Sequence, residues 1–385
     1  MVEVIALRNG VRLIVDPMPS LESAAIGVWA NAGAIDEAPE ENGVAHLLEH
    51  MAFKGTRRRT ARDIAEAIES VGGYLNAATS YQRTGYYARI LKNDVPLAVD
   101  LLTDILTEPL LDAAELEKEK EVVIQEIGEA ADAPDDAVGE LLQTKLFTGQ
   151  SLGRPILGTV ETVRSHDPAR LRAFMERLYG RANLVVAAAG AIDPDAIARD
   201  VEARLAGLPA GDANPRPASA RYVGGAAHDD RDIEQCHVAA AFPGVGTEHK
   251  DYFAMSVFAE ALGGGMASRL FQSIREERGL AYSVYAAAES YAGTGALAAY
   301  IGTDGEDALE AVQLLRGEIE SAARGMRDDE LSRARAMLKS MRLMSLESPA
   351  SRIELAAGQL FTFGEILTPE FVCGRLDALT LADLK

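Results

Sequence analysis

The stretch Gly43-Val44-Ala45-His46-Leu47-Leu48-Glu49-His50-Met51-Ala52-Phe53 decides how the rest of the chain is read. Its apolar residues recur at helical spacing, so a helix over 43–53 is expected. Residues four apart on a helix share a face, which lets both imidazoles reach one ion. Glu49, three after His46, lies along the same side, while Leu47 and Leu48 pack inward and fix the helix. Neutral imidazoles suit zinc, and a carboxylate beside them suits a general base. A zinc ion lowers the pKa of water from about 15.7 to near 7, so hydroxide becomes available at neutral pH. The bland alternative is a pair of helix-surface histidines beside a salt-bridged glutamate. With only six histidines in the chain, the pattern rarely arises by chance.

A catalytic zinc usually takes three protein ligands. His166, His228, His237 and His249 lack ligand-like spacing, so a carboxylate is expected as the third. An acidic helix over 113–129 offers several. Glu119, Val122, Val123 and Glu126 follow i, i+3, i+4, i+7, which places two glutamates on an apolar stripe. A carboxylate there is costly unless it is paired or metal-bound. Glu115, Glu117 and Glu121 read as a solvated face with Lys118 and Lys120 as partners. Periodicity leaves Glu126 and Glu119 as equal candidates.

Around this centre, strand-like and helix-like stretches alternate. Strands are expected over 4–7 and 11–15, joined by the hairpin signal Asn9-Gly10, and over 24–29. A helix over 62–71 closes at Gly72-Gly73. Two strands over 74–91 turn around Gln82-Arg83-Thr84-Gly85, and 94–106 is helical in period. The Pro- and Gly-rich run 207–217 marks a boundary. Beyond it the order of elements repeats. Residues 67–73 match 273–279 after 206 positions, and 111–116 resemble 326–331 after 215. The second half carries no metal motif, since His46 to His50 map onto Tyr252-Phe253-Ala254-Met255-Ser256. The expected fold is α+β: two homologous halves, each a mostly antiparallel β-sheet flanked by helices, enclosing a cavity as a clamshell. Residues 1–207 form the metal-binding half, 208–220 a linker, and 221–385 the second half.

At 385 residues the chain exceeds the roughly 250–300 at which a single core stops growing. Hydrophobic residues at 48% and charged residues at 25% exclude disorder, a collagen-like fibre and a coiled-coil rod. Two cysteines, Cys236 and Cys373, exclude a disulfide framework and a cysteine-based zinc site, and favour a reducing compartment. A net charge of −21 repels nucleic acid and anionic membranes, so neither is an expected partner. The N-terminus lacks a secretory pattern, and the apolar run 184–192 is far shorter than a membrane span. A soluble, cytoplasmic protein is expected.

His46-Leu47-Leu48-Glu49-His50, with a glutamate 76 positions after His50, resembles the inverted zinc motif of the pitrilysin–insulinase metallopeptidases. The run from Gly43 through Phe53-Lys54-Gly55-Thr56 closely resembles their mitochondrial-processing-peptidase branch. The resemblance implies one Zn2+ per chain held by His46, His50 and Glu126, with Glu49 as catalytic base. Glu119 matches the family's second glutamate, which supports a ligand histidine from outside. Gly73-Tyr74-Leu75-Asn76-Ala77-Ala78-Thr79-Ser80 is similar to the edge strand to which the family adds its peptide, making Asn76 and Ala77 substrate-binding by resemblance. Arg275 and Tyr282, in the segment 268–282, match the family's Arg and Tyr pair, donors to a substrate carbonyl or its developing oxyanion. Gly263-Gly264-Gly265 has no Lys-Ser/Thr after it and reads as a turn between helices rather than a phosphate loop.

The implied activity is a zinc-dependent endopeptidase acting on unfolded or presequence-like peptides. The rival from another class is a non-catalytic scaffold or assembly subunit of the same fold. A negative chamber around Glu49, Glu119 and Glu126 favours basic peptides. With metal and grip residues in one chain, a homodimer is expected, and a heterodimer or monomer stays open. Family members run on past the point equivalent to Thr380-Leu381-Ala382-Asp383-Leu384-Lys385, so the second half is expected to lack its final elements.

Overall fold

The computed structural model describes residues 2–214 and 219–385; residues 215–218 of the expected linker lie outside the described residues. Asn9-Gly10 closes the hairpin it announces. Gly10 takes φ +91°, and β1 (Glu3–Ala6) pairs antiparallel with β2 (Arg12–Pro17). Then come β3 (Ser23–Ala30), α1 (Val44–Ala52), α2 (Ala61–Glu69), β4 (Tyr74–Thr79), β5 (Thr84–Leu91), α3 (Val95–Thr107), α4 (Ala113–Asp132) and α5 (Pro134–Leu146). The first half ends with α6 (Val160–Ser165), α7 (Pro168–Leu178), β6 (Leu184–Gly190) and α8 (Pro194–Arg204). The second runs β7 (Gln235–Gly244), α9 (Tyr252–Gly263), a π-helical turn (Phe271–Glu276), β8 (Ala281–Tyr291) and β9 (Thr294–Asp304). It closes with α10 (Ala308–Arg324), α11 (Asp328–Ser345), α12 (Pro349–Phe363) and α13 (Pro369–Ala378). Among the described residues no helix is long and apolar enough to cross a membrane.

Two compact units result, and they are discontinuous in sequence. One gathers the chain up to Glu129, the stretch from Arg154 to the linker, and Ser345–Ile366; the other gathers Ala130–Gly153, the second half up to Met344, and Leu367–Lys385. Helix α12 therefore belongs with the first unit and α5 with the second. They are repeat equivalents, 215 positions apart, each with proline in its first turn. The expected linker is held at its start. Arg181 and Ala182 donate backbone bonds to Pro209 and Ala210 (3.0 and 2.9 Å), and the Asn214 side chain donates to the Asn31 carbonyl at 2.9 Å.

In the first unit the strand order is β1-β2-β6-β3-β5-β4, antiparallel except for β2 with β6. Side chains alternate across it. Ala24, Ile26, Val28 and Ala30 of β3 enter the main core, while Ala25 and Trp29 face the opposite side. There Ile353, Ala356, Ala357 and Leu360 of α12 cover them. Strand β6 is buried on both faces, which explains its unbroken apolar run. The second unit has the antiparallel order β7-β9-β8, matching β3-β5-β4 of the first, around its own core.

Candidate metal centre

Helix α1 is set by its entrance. Gly43 caps it at φ +89°, and a Cβ there would lie 2.7 Å from the Leu157 carbonyl oxygen. Any other residue would therefore be strained and obstructed. With no side chain at the cap, Glu37 satisfies the helix from outside. Its carboxylate accepts from the backbone N–H groups of Gly43 (3.0 Å) and Ala45 (2.9 Å) and from Asn42 Nδ2 (3.1 Å). Burial pushes the Glu37 carboxyl up to about 7, against the pull of those donors and of Arg154. Val44, Ala45, Leu47, Leu48 and Met51 are buried, which holds the helix against the core and turns His46, Glu49 and His50 together.

The geometry separates the two glutamates that periodicity left equal. Glu126 Oε2 lies 3.7 Å from His46 Nε2 and 3.6 Å from His50 Nε2. One donor atom from each of these three residues lies within 4.8 Å of the others, the one group of this kind among the described residues. Glu119 stands behind His50, with Oε2 3.2 Å from Nδ1 and Oε1 2.7 Å from Lys54 Nζ. The imidazoles meet edge to face with centroids 4.6 Å apart. The α4 stripe is narrower than expected. Glu119 and Val123 are buried, whereas Val122 is 38% exposed, because α4 packs through the Leu116, Glu119, Val123 line. Lys118 pairs with Glu115 on the outer side as expected, whereas Lys120 is buried, its ammonium donating to Glu117 at 2.6 Å and to the Arg164 carbonyl at 3.2 Å.

Burial, then the neighbouring His50, push the His46 imidazole down to about 4. It is thus neutral at physiological pH, the form that ligates metals. His46 Nδ1 is buried with no hydrogen-bond partner. Glu49 is 9% exposed and accepts a hydrogen bond of 2.5 Å from the Thr79 hydroxyl. Burial pushes its carboxyl up, and the Thr79 hydroxyl and His50 pull it back.

Thr79 ends β4, the outermost strand of its sheet. On the same strand the exposed Asn76 donates to the Tyr74 hydroxyl at 2.7 Å, while Ala77 packs into the core. In the second unit Arg275 and Tyr282 meet each other. The guanidinium lies 4.8 Å from the Tyr282 ring centroid and 4.6 Å from that of Phe271, and Nη1 donates to the Tyr282 carbonyl at 2.8 Å. Tyr282 is 77% exposed at a register shift in β8, and Arg275 sits in the π-helical turn, a distortion frequent at functional sites. Sequence reasoning missed Thr79, Glu37 and Lys54. Thr79 lay within the quoted edge-strand segment, but Glu37 carried no local signal.

The insulinase (peptidase family M16) profile matches residues 13–160, and the peptidase M16 inactive-domain profile matches 166–338. An uncharacterized zinc protease of Streptomyces coelicolor is 37% identical over 98% of this chain and 84% of its own length. The uncharacterized zinc protease YmxG of Bacillus subtilis is 36% identical over 97% of this chain and 91% of its own. Among solved structures, a protease from Helicobacter pylori aligns over 100% of this chain and 94% of its own, with TM-score 0.91 and 19% identity. A peptidase M16 inactive domain from Pseudomonas fluorescens aligns over 100% and 93%, with TM-score 0.88 and 22% identity. With both profiles in sequence along one chain, and relatives this similar over nearly its whole length, the protein belongs to the insulinase, or M16, peptidase family.

Proposed function

We propose that this chain is a zinc-dependent endopeptidase that cleaves unfolded or presequence-like peptides. The observation that carries the reading is the meeting of His46, His50 and Glu126 beside a buried, hydrogen-bonded Glu49. The donor set fits zinc. Two imidazoles and a carboxylate are a common catalytic set, and donors around tetrahedral zinc stand about 3.4 Å apart, close to the 3.6 and 3.7 Å found here. When bound, zinc supplies a Lewis acid that polarises a carbonyl and makes water acidic.

The chain's own residues supply the rest. Glu119 orients His50 through Nδ1 and so fixes which nitrogen is offered to the ion. Glu49 takes the proton of the attacking water and returns it to the leaving amine, while Thr79 holds its carboxylate in place. The edge of β4 at Asn76 and Ala77 receives the peptide as an added strand, which suits a range of sequences because backbone groups make the bonds. Arg275 and Tyr282 resemble the family's substrate donors and are assigned to the peptide carbonyl.

Zinc content and cleavage of a quenched peptide separate this reading from a scaffold. Glu49→Gln is expected to keep zinc and lose cleavage, and a chelator to abolish the wild-type activity. A metal-loaded Glu49→Gln variant with full activity would sink the mechanism, and a metal-free inert wild type would leave the scaffold.

A further inference from the structure

The register of β4 divides it into two faces. Ala77 and Thr79 lie opposite Tyr86 and Thr84 on the side of α1, whereas Tyr74, Asn76 and Ala78 lie opposite Arg89, Tyr87 and Gly85 on the other. On that second face, where α12 stops short of the sheet edge, there is a cavity of about 430 Å³. Tyr74 and Tyr87 supply its open apolar surface, and the buried Trp29 and Ile353 lie beneath them. The indole can lie there because two strand positions have no side chain. A Cβ at Gly27 or at Gly85 would come within 2.5 Å of the ring. Arg83, Arg89 and Glu354 stand at its margin, with the Arg89 guanidinium 4.7 Å from the Tyr74 ring centroid. Two cations against one carboxylate disfavour a basic occupant, and the aromatic surface favours a large uncharged one.

We propose that this recess is a side-chain subsite of the peptide-binding edge, and that it takes an aromatic or large aliphatic residue. The proposal rests on the endopeptidase reading above and adds substrate class to it. A peptide that extends the sheet at β4 sends every second side chain to this face. Selectivity for large apolar residues is therefore expected at alternating positions, and not at the positions between them. Basic residues gain nothing at these positions.

Trp29 is the sole tryptophan of the chain, so its emission reports on the recess without reference to activity. The probe is a series of short tryptophan-free peptides in which one phenylalanine is moved through an alanine-rich background. Each is titrated into the zinc-loaded Glu49→Gln protein. Phenylalanine at alternate positions is expected to change Trp29 emission and tighten binding about tenfold, as burial of one aromatic side chain allows. Ala350→Phe, which fills the recess from α12, is expected to abolish the preference and leave the all-alanine peptide bound as before. Ala78→Leu, at an exposed strand position, gives the same test if the helix variant fails to fold. Binding with equal affinity at every position, or a preference that survives both variants, overturns the subsite and leaves the peptidase reading intact. Absence of any peptide binding, with no cleavage by the wild type, overturns both.

Discussion

Thr79 joins two chemistries at one hydroxyl. It donates to Glu49 at 2.5 Å and lies 3.4 Å from the Thr84 hydroxyl, which donates to the Ala32 carbonyl at 3.1 Å. The proposed base is therefore tied to the end of the proposed substrate strand. Thr79→Val keeps the shape and removes the donor, so kcat is expected to fall at least about tenfold with KM and zinc content unchanged. Thr79→Ser is expected to restore most of the rate, and a Val variant with wild-type kcat would refute this role. Glu119 acts one step further out, between His50 and Lys54. Glu119→Gln is expected to weaken zinc binding about 10- to 100-fold, measured by competition with a coloured chelator. At this scale the motif 46–50 was legible, because helical spacing alone puts His46 and His50 on one face. The choice of Glu126 over Glu119 was not legible from periodicity, only implied by the family resemblance, because it turns on which imidazole nitrogens each carboxylate faces: Nε2 of both histidines for Glu126, Nδ1 of His50 for Glu119.

At the scale of the element, α1 is a short helix whose first turn is satisfied by a residue outside it. Glu37→Ala would leave the Gly43 and Ala45 N–H groups without their acceptor in a buried place, and the Asn42 amide with the Pro155 carbonyl alone. A loss of about 2 kcal/mol in unfolding free energy is expected by urea titration, together with weaker zinc binding. A variant as stable as the wild type would show that water replaces the carboxylate as acceptor. Strands β4 and β5 and helices α1 to α4 appear close to where periodicity and turn signals put them. The π-helical turn at Phe271–Glu276 does not announce itself, since one extra residue per turn leaves no periodic mark in so short a segment.

For the molecule as a whole, the repeat read from residue matches returns as matching strand orders, β3-β5-β4 and β7-β9-β8. The exchange of α5 and α12 between compact units was invisible beforehand. It has a mechanical consequence: a fragment ending at residue 214 would leave Ile14, Ala25, Trp29, Val185, Ala187 and Ala189 without the helix that covers them. Such a fragment is expected to aggregate and bind a hydrophobic dye, and a peptide spanning 345–366 added in trans is expected to reduce both. A soluble, dye-free fragment would contradict it. Within the intact chain, Leu360→Ala is expected to cost about 2–5 kcal/mol and to lower hydrogen-exchange protection in β3 and β6 before β9. The sequence by itself determined the metal motif, the local elements and the duplication, because these depend on spacing along a helix or strand. Only the tertiary structure decided which imidazole nitrogens each glutamate faces, what caps α1 and which sheet α12 covers. Those depend on distances between residues far apart in the chain, and periodicity within one element carries no information about its partner.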